Sequence, residues 1–230
     1  MLVTEGRQPC ESVKHWVHRT LRHALMTGRF QAGEPVTING LAEMLEVSAM
    51  PVREALQYLV ADGALELLDN RRVRVPEMVP EKFDEILAAR IALETVAAER
   101  ALPQLDFIRI ARLQHLDSVV DDAYDAGDIE RGIAANFDFH RCIYEVRSNG
   151  VLLPMIESLW LRLGPFMRHA AENHWASYQV DRHAEALEAI RCKNADALKA
   201  AITADIQDGI GHLGRAQFLD TAARTFATRR

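Results

Sequence analysis

The feature that most constrains this chain is a change of apolar period at Pro76. Ahead of it, three helix-spaced segments are closed by a segment that alternates residue by residue. Residues 11–27 put Val13, Trp16, Val17, Leu21, Ala24 and Leu25 on one helical face, and Gly28 is a natural stop. The chain turns through Gly33 and Pro35, and residues 37–47 then bring Leu41, Leu45 and Val47 inward. Ser48 falls at the N-cap of a third helix, with Pro51 in its first turn and Val52, Leu56, Leu59 and Val60 as its buried face. Gly63 ends that helix, and "ALELLDNRRVRVP" alternates around Asp69-Asn70 as a β-hairpin does.

Beyond Pro76 every segment has helical period. A proline-bearing linker is expected at 77–82, followed by helices near 80–101, 105–126, 128–147, 150–172, 178–192 and 194–213, and a tail helix after 215. Gly127, Gly150 and Lys193-Asn194 punctuate the run. The expected fold is mostly α. Residues 1–76 form a winged helix-turn-helix with a small β-hairpin, and residues 83–230 form an all-α bundle of six or seven helices.

Charge divides at the same point. Of 27 Lys/Arg and 33 Asp/Glu, residues 1–76 hold 9 and 9, so the net −6 belongs to the remainder, with 18 against 24. Such a balance excludes indiscriminate nucleic-acid binding through net charge but leaves room for a neutral module with a local basic face. Three cysteines without CxxC spacing read as reduced thiols. The N-terminus lacks a signal-peptide pattern, and no apolar run of about 18 residues predicts a membrane span, so a cytoplasmic protein is expected.

Two helices joined by a tight turn and followed by a wing form the layout that sets a second helix in the DNA major groove. The first turn of that helix must face the DNA, where backbone N–H groups meet phosphate and a guanidinium reaches guanine O6 and N7. Asn39, Ser48, Ala49, Met50 and Arg53 are the expected contacts, with Asn70, Arg71 and Arg72 on the wing and Arg74 close by. In the second half, Asn136 and His140 stand four apart on one helix face, His183 opens a later helix, and Asp205 lies on the next. Two nitrogen ligands with oxygen donors suit zinc, nickel or manganese. Arg162, set in an otherwise apolar segment, is a candidate contact for a small anion, with Tyr144, Trp160 and Phe166 as pocket walls.

The string "LAEMLEVSAMPVREALQYLVADGALEL" resembles the winged helix-turn-helix of the GntR superfamily of bacterial transcription regulators, over residues 12–76. Two departures stand out. Ala49 occupies the place where that family usually has a base-contacting arginine, and Asp69-Asn70 replaces a wing glycine. Arg53 and the wing are therefore expected to carry more of the recognition. Residues 80–213 resemble the all-helical FCD effector domain of the FadR subfamily, through "ARIALE", "N...FHR.IYE..SNG" and "H.EALEAI....ADALKAAI". The resemblance implies a divalent metal on Asn136, His140 and His183, with Asp205 where a further histidine is usual. It also implies Arg90 as the clamp of a small carboxylate. Together the two resemblances imply a homodimeric regulator, expected to be a repressor, that binds a palindromic operator in double-stranded DNA and answers to a carboxylate effector. A metal-dependent hydrolase built on His140, His183 and Asp205 is the competing reading.

Overall fold

The structure, a computed structural model, describes residues 6–69, 72–146, 150–174 and 181–211. Asn70 and Arg71 at the wing tip, His212 and the expected tail helix lie outside the described residues.

Helix α1 (Val13–Met26) starts where the Ser12 hydroxyl accepts from the His15 amide, and it buries Val17, Leu21, Ala24 and Leu25. Helices α2 (Ile38–Met44) and α3 (Ala49–Ala61) follow, with α2 capped by the Thr37 hydroxyl. Val52, Ala55, Leu56 and Leu59 of α3 close the small core against α1 and α2. The hairpin strands β2 (Glu66–Leu67) and β3 (Val73–Arg74) are present as the alternation predicts. A third strand, β1 (Pro35–Val36), pairs antiparallel with the free edge of β3, so the sheet order is β1-β3-β2. No alternation marks this strand in advance, since it is two residues long and begins at a proline.

Six helices follow among the described residues: α4 (Pro80–Ala101), α5 (Phe107–Asp125), α6 (Ile129–Tyr144), α7 (Leu152–His174), α8 (Arg182–Arg191) and α9 (Ala195–Ile206). The expected linker is shorter than 77–82, because Pro80 takes the first helical position of α4, where its missing N–H loses nothing. Asp106, Asp128, Asp181 and Asn194 cap α5, α6, α8 and α9, each accepting from an amide three residues on. No described helix is long and apolar enough to cross a membrane.

Helix α7 belongs to both cores. Leu161 packs into the N-terminal core, whereas Trp160, Leu163 and Phe166 pack into the bundle. The backbones of α1 and α7 meet at Gly164, where a Cβ would fall 1.9 Å from the Leu25 carbonyl oxygen. Only glycine permits that approach. Arg22 spans the same boundary, bonding Asp62 at the end of α3 and Glu157 on α7, at 3.3 and 3.1 Å.

Candidate functional site

The reading end of the N-terminal unit is assembled at the start of α3. Ser48 occupies the N-cap, with φ −70° and ψ 161°, but its hydroxyl makes no capping bond. That corrects the expectation that Ser48 caps the helix through its side chain. Ser48 is exposed at the N-terminal end of α3, the end of a helix suited to phosphate contact. Met50 stands 63 % exposed beside the half-buried Ala49, and Arg53 follows on the exposed face. Among the described residues nothing hydrogen-bonds or ion-pairs with Arg53. Asn39 is exposed on α2, and Arg72 is exposed at the base of the wing. Arg74 ion-pairs with Glu66 across the hairpin and with Glu77 at 3.6 Å.

The second constellation lies inside the bundle, where α6, α8 and α9 converge. His140 and His183 are buried at 1 % and 5 % exposure, which leaves little room for solvent to satisfy their rings. His140 Nε2 lies 3.0 Å from Asp205 Oδ2, and His183 Nε2 lies 3.9 Å from Asp205 Oδ1. Each side chain offers a ligand atom, and these atoms lie within 4.8 Å of one another. The structure brings these three residues together. Asn136 sits half-buried one turn before His140 on α6, as the four-residue spacing requires.

Hydrogen bonding sets the ring states. His183 Nδ1 is 2.9 Å from Asp117 Oδ1, an acceptor when ionised, so a proton belongs on Nδ1 and, in the neutral ring, Nε2 carries the lone pair on the side of Asp205. His140 Nδ1 is 3.3 Å from the Tyr144 hydroxyl, which itself donates to Glu94 Oε2 at 3.1 Å. The Tyr144 oxygen therefore accepts from His140 Nδ1–H, and His140 Nε2 carries a lone pair as well. Both Nε2 atoms are buried and lack a hydrogen-bond partner among the described residues. Two orphaned lone pairs beside a carboxylate form a donor set that a divalent cation satisfies. Tetrahedral zinc with bonds near 2.1 Å sets ligand atoms about 3.4 Å apart, between the 3.0 and 3.9 Å separations of the two Nε2 atoms from the Asp205 carboxylate. The residues present fit a metal.

Burial opposes charging His183, but the bond to Asp117 and the charges of Asp205, Asp117 and Asp181 outweigh it, so its pKa lies above the ordinary histidine value. Burial, then the Glu94 charge, pushes the Tyr144 hydroxyl well above its usual range, which keeps it a neutral donor. Phe139 stacks on the His183 ring at 3.9 Å between centroids and holds its orientation.

Glu94 is the hub beside this set. Its Oε1 accepts from Arg90 Nε at 2.7 Å and from Trp160 Nε1 at 2.9 Å, and its Oε2 accepts from Tyr144. Breaking one side of such a buried pair costs about 3–5 kcal/mol, so Arg90 stays on Glu94 through Nε. Its terminal nitrogens carry no such commitment among the described residues. Sequence reasoning named Arg90 and Tyr144 but missed Asp117 and the role of Glu94 as a shared acceptor. Asp117 lies on α5, far along the chain from His183, and no local pattern marks it.

Arg162 is the clear correction. It does not face this site. Its Nε and Nη2 donate to the Asp62 carbonyl at 3.1 and 3.0 Å, at the C-terminal end of α3. An isolated arginine in an apolar helix announces a buried anionic acceptor, but the sequence does not say whether that acceptor is a ligand or a backbone carbonyl. Trp160 and Phe166 are core residues.

Comparison with known proteins agrees with both halves. Residues 15–75 match the bacterial regulatory proteins of the gntR family, and residues 85–208 match the FCD domain. The chain is 33 % identical over 207 residues to the HTH-type transcriptional regulator McbR of Escherichia coli K12, covering 90 % of each chain. The solved structure of E. coli McbR/YncC superposes with a TM-score of 0.82 at 30 % identity, covering 90 % of this chain and 99 % of that one. The HTH-type transcriptional repressor RspR of E. coli K12 is 20 % identical over 210 residues, covering 90 % of this chain and 92 % of the repressor. These families and relatives are regulators rather than enzymes, and the hydrolase reading is set aside. With a gntR-type reading domain joined to an FCD domain, the chain belongs to the GntR family of DNA-binding transcription regulators, in its FadR-type branch.

Proposed function

We propose that the protein is a homodimeric repressor whose grip on a palindromic operator is released by a small carboxylate, bound beside a divalent cation in the helical bundle. The observation that carries the reading is the convergence of the buried Nε2 atoms of His140 and His183, neither of them hydrogen-bonded, on the Asp205 carboxylate at 3.0 and 3.9 Å. Asn136, one turn before His140, completes the ligand set. Such an ion supplies a fixed positive charge for a ligand carboxylate. Arg90 adds a second contact, because its terminal nitrogens remain open for a carboxylate while Nε stays on Glu94. Tyr144 keeps His140 in its ligating tautomer and walls the site.

On the DNA side, a two-fold dimer presents two copies of α3 to successive half-sites. Arg53 and Ser48 supply the polar contacts, and the Ala49 position offers no guanidinium, so the operator differs from those read through an arginine there. Release as the direction of regulation rests on resemblance to a repressor, RspR.

The test is operator selection from random DNA with the full chain, followed by a screen of mono- and dicarboxylates against the selected site. A palindrome is expected, with at least one carboxylate weakening binding tenfold or more in metal-loaded protein. An enriched palindrome whose affinity no carboxylate changes would remove the effector assignment.

A further inference from the structure

Three consecutive residues of α7 face three different parts of the molecule. Trp160 donates through Nε1 to Glu94, the hub beside the histidine site. Leu161 is buried in the core of the DNA-reading unit. Arg162 donates through Nε and Nη2 to the Asp62 carbonyl, the C-cap of α3. One turn earlier, the Ser158 hydroxyl donates to the same carbonyl at 3.0 Å. The contact is tight, because a Cβ on the neighbouring Gly63 would come within 2.9 Å of Arg162 Nη2.

A second route ends on the same residue. Arg141 follows His140 on α6 and bonds Glu157 on α7 through Nε at 3.0 Å. Glu157 accepts from Arg22 on α1, and Arg22 also bonds the Asp62 carboxylate at 3.3 Å. The backbone end and the side chain of Asp62 are thus both held by groups connected to the histidine site, Arg162 through Trp160, Glu94 and Tyr144, and Arg22 through Glu157 and Arg141. Asp62 closes the helix whose opposite end, Ser48 to Arg53, faces DNA.

We propose that Arg162 is a positioning residue for the reading helix, and that α7 carries the state of the His140/His183/Asp205 site to it through Asp62. The physical grounds are continuity of packing and directionality. A shift of Tyr144 or Glu94 moves the Trp160 acceptor, and α7 is one continuous helix whose residues are seated in both cores. Arg162 also places its charge at the negative end of the α3 dipole, so the contact holds α3 by charge as well as by hydrogen bonds. The inference rests on the proposed metal reading and deepens it.

The test compares operator affinity of metal-stripped and metal-loaded full-length protein, using zinc, nickel and manganese alone as probes and the operator selected from random DNA. The wild-type ratio is expected within the 5- to 150-fold range of typical coupling. Arg162→Ala is expected to shrink that ratio at least fivefold while metal content stays at the wild-type value. Arg162→Lys, which keeps charge but loses the fork, and Ser158→Ala, which alters little volume, are expected to shrink it less. A purely structural Arg162 would weaken operator binding alike in both forms and leave the ratio unchanged, and that result overturns the proposal. Should Arg162→Ala fail to fold, an unchanged ratio in both Arg162→Lys and Ser158→Ala overturns it equally. Wild-type protein that binds metal with no change in operator affinity defeats the inference alone, whereas protein that binds none of the three metals defeats the metal reading beneath it.

Discussion

Arg53 and Arg90 occupy opposite kinds of ground. Arg53 stands on an exposed helix turn with nothing in the described chain to hold it, alongside an uncapped Ser48 hydroxyl and an exposed Met50. Arg90 is buried and fixed to Glu94, within a group where Glu94, Tyr144, His140 and Asp117 each hold a neighbour in place. The difference teaches how the two recognition tasks are met. The DNA face leaves its polar groups unspent, because the partner supplies their bonds. The buried site spends most of its bonds internally, which fixes ring tautomer and orientation, as the proposed cation would need. Among the described residues, the two Nε2 atoms and the terminal nitrogens of Arg90 are left without a hydrogen bond.

Two substitutions sharpen that contrast, one on each side. Arg53→Ala should leave the fold and metal content intact, since Arg53 touches nothing internal, while specific operator affinity falls about 10- to 100-fold, the worth of one bidentate base contact of about 1–3 kcal/mol. Fluorescence anisotropy on the selected operator, beside a thermal melt, reads both quantities. Equal operator affinity would move the reading contact elsewhere on α3 or the wing. Asp117→Ala touches no ligand atom directly, yet it removes the acceptor that holds His183 Nδ1–H. Metal affinity should weaken about 10-fold, at the low end of the usual 10- to 100-fold loss for an orienting carboxylate. Competition against a chelator measures it, and an unchanged affinity would mean that Phe139 stacking alone orients the ring.

The two regions also differed in how far the sequence disclosed them. The reading domain was legible because its signals are local. Ser48, Pro51 and Gly63 bracket a helix within sixteen positions, and the hairpin declares itself by alternation. Only β1 escaped, being a two-residue edge strand defined by its partner rather than by its own pattern. The buried site was half legible. Asn136 and His140 share a helix face by spacing, and His183 and Asp205 were placed by resemblance and helical order. Asp117 and the shared use of Glu94 were not, because both depend on which helices pack together. Arg162 shows the same limit from the other side. Its apolar setting was read correctly as a sign of a specific partner, but the partner was the end of a helix in the other domain.

The proposed control of DNA binding by the bundle requires that His140, His183 and Asp205 hold a cation. Elemental analysis of the purified full chain, reconstituted with zinc, nickel or manganese and then dialysed, addresses that most directly when run beside His140→Ala and His183→Ala. One ion per chain in the wild type and its loss from both variants is the predicted result. Metal-free wild-type protein under all three conditions, or equal metal in wild type and both variants, would contradict it.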